Sequence, residues 1–174
     1  MRAYLLVYVH DILLMGNNSD MVDSVLSKLA TVFKIRDLGR LRFFLGIEAI
    51  HTNNNMILSQ HRYMTELLRK AGMESCNPLS TPMATTVVMT DGGSAVLDDL
   101  TPYRQLIGSL MYLLITRPNL SYAVNQMCHF MHNPTQNHWA ALKRVLRYMK
   151  GTLHLGIRFT PASTPVIHAI SDSN

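Results

Sequence analysis

Residues 4–16 constrain the fold more than any other part of the sequence. They contain two apolar, β-favouring runs, 4–9 and 12–15, on either side of a polar pair, His10 and Asp11. Short apolar runs bounded by turn residues are typical of strands buried on both faces. The polar interruption predicts a tight hairpin with a carboxylate at its tip. An ionised aspartate beside this apolar surface indicates a compensating cation or metal, and the alternative is a turn that exposes the polar pair to water.

The composition indicates a folded protein inside the cell. Of the 174 residues, 48% are apolar and 16% are charged, which argues against disorder. The net charge of +5 suits an anionic partner such as nucleic acid, although many basic proteins bind none. The distant cysteines, Cys76 and Cys128, are expected to be reduced thiols. Without a transmembrane-length apolar run or a clean signal-peptide cleavage site, we expect no membrane association and no secretion, and a location in the cytoplasm, the nucleus or an organelle.

The rest of the sequence predicts alternating strands and helices. The first half predicts a helix over 19–33, one strand over 41–50 that contains Gly46, and a partner strand over 56–59. A glycine inside a strand marks close backbone approach, and a plain hairpin with a packing glycine is the alternative. The second half predicts, in order, a helix over 60–71, a mobile loop or linker over 73–100, helices beginning near 101, near 119 and at 135, and strands over 155–160 and 166–170.

Six basic side chains on two of these helices are candidate nucleic-acid contacts. They are Arg69 and Lys70 on the helix over 60–71, and Lys143, Arg144, Arg147 and Lys150 on the helix over 135–150. Such a stripe can lie along a phosphate backbone, and a solvated helix face is the alternative. A zinc site is a further alternative, although the paired-ligand spacing of zinc modules is absent. Its ligands would be Cys128, His129, His132 and His138.

The amino-acid sequences of these segments resemble those of the reverse transcriptases of copia-type LTR retrotransposons. Residues 8–11 resemble the family's Tyr-Val-Asp-Asp hairpin, with His10 in the place of its first aspartate. The matches continue in order through 37–39, 44–48, 58–60, 81–83, 103–113, 116–118, 130–131, residue 138 and 143–152. The resemblance therefore covers nearly the whole chain.

The resemblance implies an α+β fold with recognisable parts of a reverse transcriptase. These parts are a palm hairpin and helix, a primer-grip-like hairpin, a helical thumb and connection, and two C-terminal strands. The corresponding divisions are a partial palm over 1–59, a thumb-like helix over 60–72, a mobile loop or linker over 73–100, a helical thumb and connection over 101–151, and the start of ribonuclease H-like strands over 152–174. Phe44, Leu45 and Gly46 take the primer-grip position, and Asp172 resembles the first acidic residue of the nuclease.

The resemblance also implies RNA-directed DNA polymerase chemistry, with magnesium or manganese as cofactor and a template–primer duplex as partner. Two divalent ions held by carboxylates do this chemistry. One family aspartate would precede Met1 and His10 replaces another, so Asp11 alone remains, and imidazole suits zinc or copper better than magnesium. We therefore expect a truncated and inactive polymerase domain. The alternatives are a non-catalytic nucleic-acid-binding remnant, and a polymerase subunit that another chain completes with the missing upstream part.

Overall fold

The computed structural model of the chain describes residues 1–84 and 94–161. These residues combine α-helices and β-strands, and the chain divides into two compact units, Met1–Ala49 and Ile50–Asn174. The predicted strand over 166–170, Asp172 and the middle of the predicted loop lie outside the described residues. The mixed α and β content agrees with the predicted fold class, whereas the finer five-part division stays a prediction.

The first unit begins with a hairpin followed by a helix. Its elements are β1 (Ala3–Tyr8), β2 (Asp11–Gly16), α1 (Ser19–Val32), β3 (Phe43–Phe44) and the start of β4 (Ile47–His51). β1 and β2 are antiparallel, and α1 packs against β2. Gly16 allows this close packing, because an added Cβ would lie 2.7 Å from a methyl group of Val22. The predicted hairpin and the predicted helix over 19–33 are therefore confirmed.

The strands of the first hairpin are exposed, although the sequence predicts burial on both faces. Val7 is 65% exposed and Tyr8 is 57% exposed. Within the described part of this unit, Ala49 is the one buried hydrophobic residue. The burial prediction was wrong because an apolar run fixes strand propensity, whereas burial requires packing partners on both faces. In the first unit, α1 packs against β2 of this hairpin, and this packing leaves most of its side chains exposed.

A second hairpin replaces the single strand predicted over 41–50. β3 pairs antiparallel with β4, with Phe44 opposite Ile47 and with Leu45 and Gly46 as the connecting turn. The φ angles of Leu45 and Gly46 are +51° and +75°. Two-residue hairpin turns commonly require positive φ at both central residues. The prediction was wrong because a leucine fills the turn position that asparagine or glycine usually marks, so the segment resembles one continuous apolar strand.

Within the residues that the structure describes, the second unit adds two strands and four helices. They are β5 (Met56–Ser59), α2 (His61–Lys70), α3 (Thr101–Leu113), α4 (Ser121–Cys128), α5 (Gln136–Gly151) and β6 (Ile157–Phe159), with a 3-10 turn at Pro118–Leu120. β5 pairs antiparallel with β6. Gly156 stands just before β6, where a Cβ would collide with the carbonyl of Leu58. In the part of the chain that the structure describes, every helix is too short or too polar to cross a bilayer.

The four helices α2 to α5 share one hydrophobic core. Its fully or nearly fully buried members are Met64, Leu67, Leu68, Tyr103, Leu106, Ile107, Leu110, Leu113, Leu120, Ala123, Val124, Met127, Leu142, Val145, Leu146 and Met149. The spacing of these residues is helical, so one face of each amphipathic helix is buried. The helical predictions for this part of the chain are confirmed.

A buried arginine joins the ends of these helices. Arg117 is 1% exposed, and its guanidinium donates hydrogen bonds to the carbonyl oxygen and Oγ1 of Thr152, at 2.9 and 2.8 Å. It also donates to Sδ of Met64 at 3.3 Å and to Oδ1 of Asn119 at 3.2 Å. Burial lowers the pKa of this guanidinium, and Tyr148, whose ring centroid is 6.0 Å away, raises it. These acceptors are all neutral, so hydrogen bonds offset the desolvation of the cation.

We expect Arg117→Lys to lower the free energy of unfolding by about 2 kcal/mol, because an ammonium cannot reproduce the planar fork that reaches Thr152 and Asn119. Chemical denaturation at pH 7 measures this change. Arg104→Lys is the matched control: Arg104 also donates to backbone carbonyls but is exposed, so its change should be under about 1 kcal/mol. Equal effects of the two substitutions would contradict a structural role for the buried guanidinium.

We expect a second stability effect at high pH. Tyr103 is fully buried and donates a hydrogen bond to the carbonyl of Met127 at 3.0 Å, and burial raises its pKa above the ordinary value of 10.0. Because this pKa is raised, the neutral phenol makes its full contribution to the free energy of unfolding below pH 10, and this contribution is lost as the pH rises further. Tyr103→Phe should cost about 1 kcal/mol at pH 7. That deficit should shrink in unfolding experiments above pH 10, whereas exposed Tyr122→Phe should show no such trend.

Candidate functional site

The turn of the first hairpin consists of Val9 and His10. Asp11 is the first residue of β2 and lies opposite Tyr8, so the carboxylate is not at the tip as predicted. The φ angle of Val9 is +49°, which β-branched residues rarely adopt. The prediction was wrong by one residue because strand pairing, rather than polarity, sets the turn. His10 and Asp11 are both exposed, so neither is a buried charge that needs a counter-ion.

The donors at this hairpin do not fit a magnesium or manganese site. His10 and Asp11 offer one imidazole and one carboxylate, whereas these hard cations prefer several oxygen ligands. Among residues 1–84 and 94–161, no group of three or more His, Cys, Asp and Glu side chains could hold a metal ion.

The four residues considered for zinc do not assemble into a site. His138 is buried at the start of α5, where its Nδ1 accepts a hydrogen bond from the backbone amide of Thr135 at 3.0 Å. Its ring stacks on Phe130 with a centroid distance of 4.0 Å. Burial raises the pKa of the Cys128 thiol, which disfavours the thiolate that zinc binds. The zinc interpretation was wrong for the described residues, because His138 serves as part of a helix cap.

The primer-grip-like residues lie in the second hairpin. Phe44 ends β3 and is half-buried, Leu45 is exposed, and Gly46 occupies the turn. Their predicted role against a primer stays a prediction.

Arg69 and Lys70 lie in the last turn of α2 and differ in what they contact. The guanidinium of Arg69 donates two hydrogen bonds to Glu66, at 2.9 and 2.6 Å. This pair lowers the pKa of the Glu66 carboxyl and raises that of Arg69. Lys70 is exposed and lines a groove. Lys70 is therefore better placed than Arg69 to meet an anion.

The basic residues of α5 separate into two groups. Lys143 is exposed and its ammonium lies 5.7 Å from the ring centroid of Trp139, within cation–π range. Arg144 and Arg147 instead contact residues 77–81, which we call the strap. Lys150, in the last turn of α5, is half-buried. Sequence reasoning predicted neither the strap nor the contact of Trp139 with Lys143, although their four-residue spacing was a signal for that contact.

A groove of about 640 Å³ brings residues of α2, α3 and α5 together. Lys70, Gln105 and Trp139 line it, and Lys143 lies over the Trp139 ring. An aromatic ring beside cations and an amide can stack on a base while the cations contact phosphates. Only the tertiary structure brings Lys70 and Trp139 to one groove, because they are far apart in sequence.

Known proteins match this chain over part of its sequence or over nearly all of it. Residues 2–85 match the family described as reverse transcriptase (RNA-dependent DNA polymerase). The chain is similar to the retrovirus-related Pol polyproteins from transposons RE2 and RE1 of Arabidopsis thaliana, at 45% and 43% identity over 98% and 99% of the chain. It is also similar to an uncharacterised mitochondrial protein of the same plant, at 39% identity over 98% of this chain and 71% of that protein.

The chain spans 12% of the length of each of the two Pol polyproteins. No solved structure matches it.

Proposed function

Because the chain belongs to the reverse transcriptase family of copia-type retrotransposon Pol polyproteins, we propose that it contributes to holding a template–primer duplex and does not itself add nucleotides. In this proposal the first hairpin belongs to the palm and the β3–β4 hairpin to the primer grip. The helices α2 to α5 supply the thumb and connection.

The observation that carries the non-catalytic part of the proposal is His10 beside Asp11. Family members act through two divalent ions, which activate the primer hydroxyl and neutralise the triphosphate. A site for such ions needs several carboxylate oxygens, because hard cations prefer them and because their negative charge balances the metals. At this hairpin an imidazole replaces one carboxylate. Asp11 remains, exposed to solvent and one residue beyond the turn.

The groove of the second unit supports the nucleic-acid part of the proposal. Lys70 and Lys143 are exposed, Lys70 and Trp139 line the groove, and the ammonium of Lys143 lies over the Trp139 ring. Cations that approach phosphates release condensed counterions, which gives affinity without sequence preference. The net charge of +5 favours such an association over long range. A weak, salt-sensitive and sequence-independent grip is the expected behaviour.

We expect the purified chain to show no template-dependent primer extension with magnesium or manganese, because its hairpin offers Asp11 as its one carboxylate and an imidazole beside it. A gel assay with a labelled primer measures extension against the matched Asp11→Ala variant. His10→Asp should also be inactive alone, since positioning of the nucleotide matters as much as metal charge. Extension by the wild-type chain above the Asp11→Ala level would contradict the proposal.

We expect duplex DNA to bind weakly, with an affinity that falls steeply as salt increases. Fluorescence anisotropy of a labelled duplex at several KCl concentrations gives the slope of log affinity against log salt. Replacing Lys70 and Lys143 with glutamine should flatten that slope by about 0.9 for each phosphate that the chain no longer neutralises.

Lys34→Gln is the matched control, because Lys34 is exposed in the first unit and outside the groove. Because Lys34→Gln removes one charge and the Lys70 and Lys143 variant removes two, a flattening half as large by Lys34→Gln would mean that only net charge matters. An unchanged slope for the Lys70 and Lys143 variant would assign binding to another surface.

A further inference from the structure

The strap, residues 77–81, is held by the basic side chains in the middle of α5. Nη2 of Arg144 donates a hydrogen bond to Oγ1 of Thr81 at 2.8 Å. Nε of Arg147 donates to the carbonyl oxygen of Asn77 at 2.7 Å. The backbone amide of Leu79 donates to the carbonyl of Arg147 at 3.3 Å. The strap therefore occupies two of the four cations that form the basic stripe of this helix.

The closed strap leaves one charged donor unsatisfied. Nε of Arg144 is buried and has no hydrogen-bond partner within the described part of the chain. A buried donor without a partner is unfavourable, more so when it carries charge. A phosphate group can accept hydrogen bonds from two guanidinium nitrogens at once, which a single threonine hydroxyl does not do here. The contact between Arg144 and the strap is thus weaker than a phosphate contact at the same guanidinium would be.

The strap also lies very close to Gly151, the last residue of α5. A Cβ added at Gly151 would lie 3.0 Å from Cβ of Pro78 and 3.5 Å from the carbonyl oxygen of Leu79. The first distance is tighter than ordinary van der Waals contact, so a side chain at Gly151 would press on the strap. Thr81 is exposed at the other end of the strap, so its side chain can change without disturbing the core.

We propose that the strap is an autoinhibitory contact, which occupies Arg144 and Arg147 in the free chain and is displaced when the phosphate backbone of a duplex binds there. The inference rests on the proposed nucleic-acid function and adds its regulation. When a ligand must first displace a segment of the protein, its apparent affinity is its intrinsic affinity multiplied by the fraction of molecules in which that segment is open. Opening the strap should therefore raise affinity and add cations to the interface.

Two substitutions that loosen the strap from opposite ends test this. Thr81→Ala removes the acceptor of Arg144, and Thr81→Ser, which keeps the hydroxyl, is its matched control. Gly151→Ala instead places a Cβ against Pro78, near the other end of the strap. We expect Thr81→Ala and Gly151→Ala each to raise duplex affinity by about threefold or more in low salt and to steepen the salt slope by about 0.9 for each cation released. Thr81→Ser should behave as the wild type.

A background of Arg144→Gln with Arg147→Gln removes the two cations proposed to bind phosphate, so Thr81→Ala should change nothing there. Hydrogen exchange at the Leu79 amide should speed up when duplex is added to the wild-type chain.

The outcomes separate this inference from the proposed function. If wild type and both loosening variants bind duplex equally, with unchanged exchange at Leu79, the nucleic-acid function stands and the strap is not inhibitory. If no variant binds duplex at any salt concentration, the nucleic-acid function fails and the inhibitory role fails with it. If both loosening variants bind duplex more tightly, and this increase is absent in the double-glutamine background, the inhibitory role of the strap is supported. The same increase in affinity in that background would overturn it.

Discussion

The Arg117 guanidinium holds the second unit together at the place where its helices end. Its hydrogen bonds reach Met64 of α2, Asn119 in the 3-10 turn and Thr152 just after α5. Beside it, the buried hydroxyl of Thr116 donates to Oε1 of Gln60 at 2.7 Å. These polar contacts are directional, whereas the surrounding leucines and methionines are not, so they fix how the helices meet. The groove and the strap both depend on that arrangement, because α2 and α5 carry their cations.

The two units differ in how completely their apolar side chains are buried. The second unit buries a continuous helical core, and its basic surface is placed by that core. In the first unit, the described residues leave much of an apolar hairpin exposed. A strand that is apolar on both faces needs packing on both faces, and the exposed side chains of this hairpin show that the described residues do not supply it.

The chemistry of the hairpin and the chemistry of the helices have different requirements. Metal-dependent catalysis requires a specific set of oxygen ligands, which one imidazole and one carboxylate, as at His10 and Asp11, do not provide. Phosphate binding requires only exposed cations at suitable spacing, which tolerates substitution and rearrangement. A chain of this family can therefore lose the first property and keep the second. Competition for Arg144 and Arg147 by the strap then governs how much of the basic surface is open.

The sequence by itself determined the family, the helical pattern and the pairing of His10 with Asp11 near the turn of the first hairpin, because these are local or ordered features of the chain. The turn at Val9 and the hairpin at Leu45 were not predictable, because strand pairing placed apolar residues in positive-φ positions. Tertiary structure alone decided the surroundings of the cations. Arg117 is buried, Arg144 and Arg147 meet the strap, and Lys70 meets the groove, because each contact joins segments far apart in sequence. Local patterns give the charge of a side chain, whereas its desolvation and its partners depend on the packing of the whole unit.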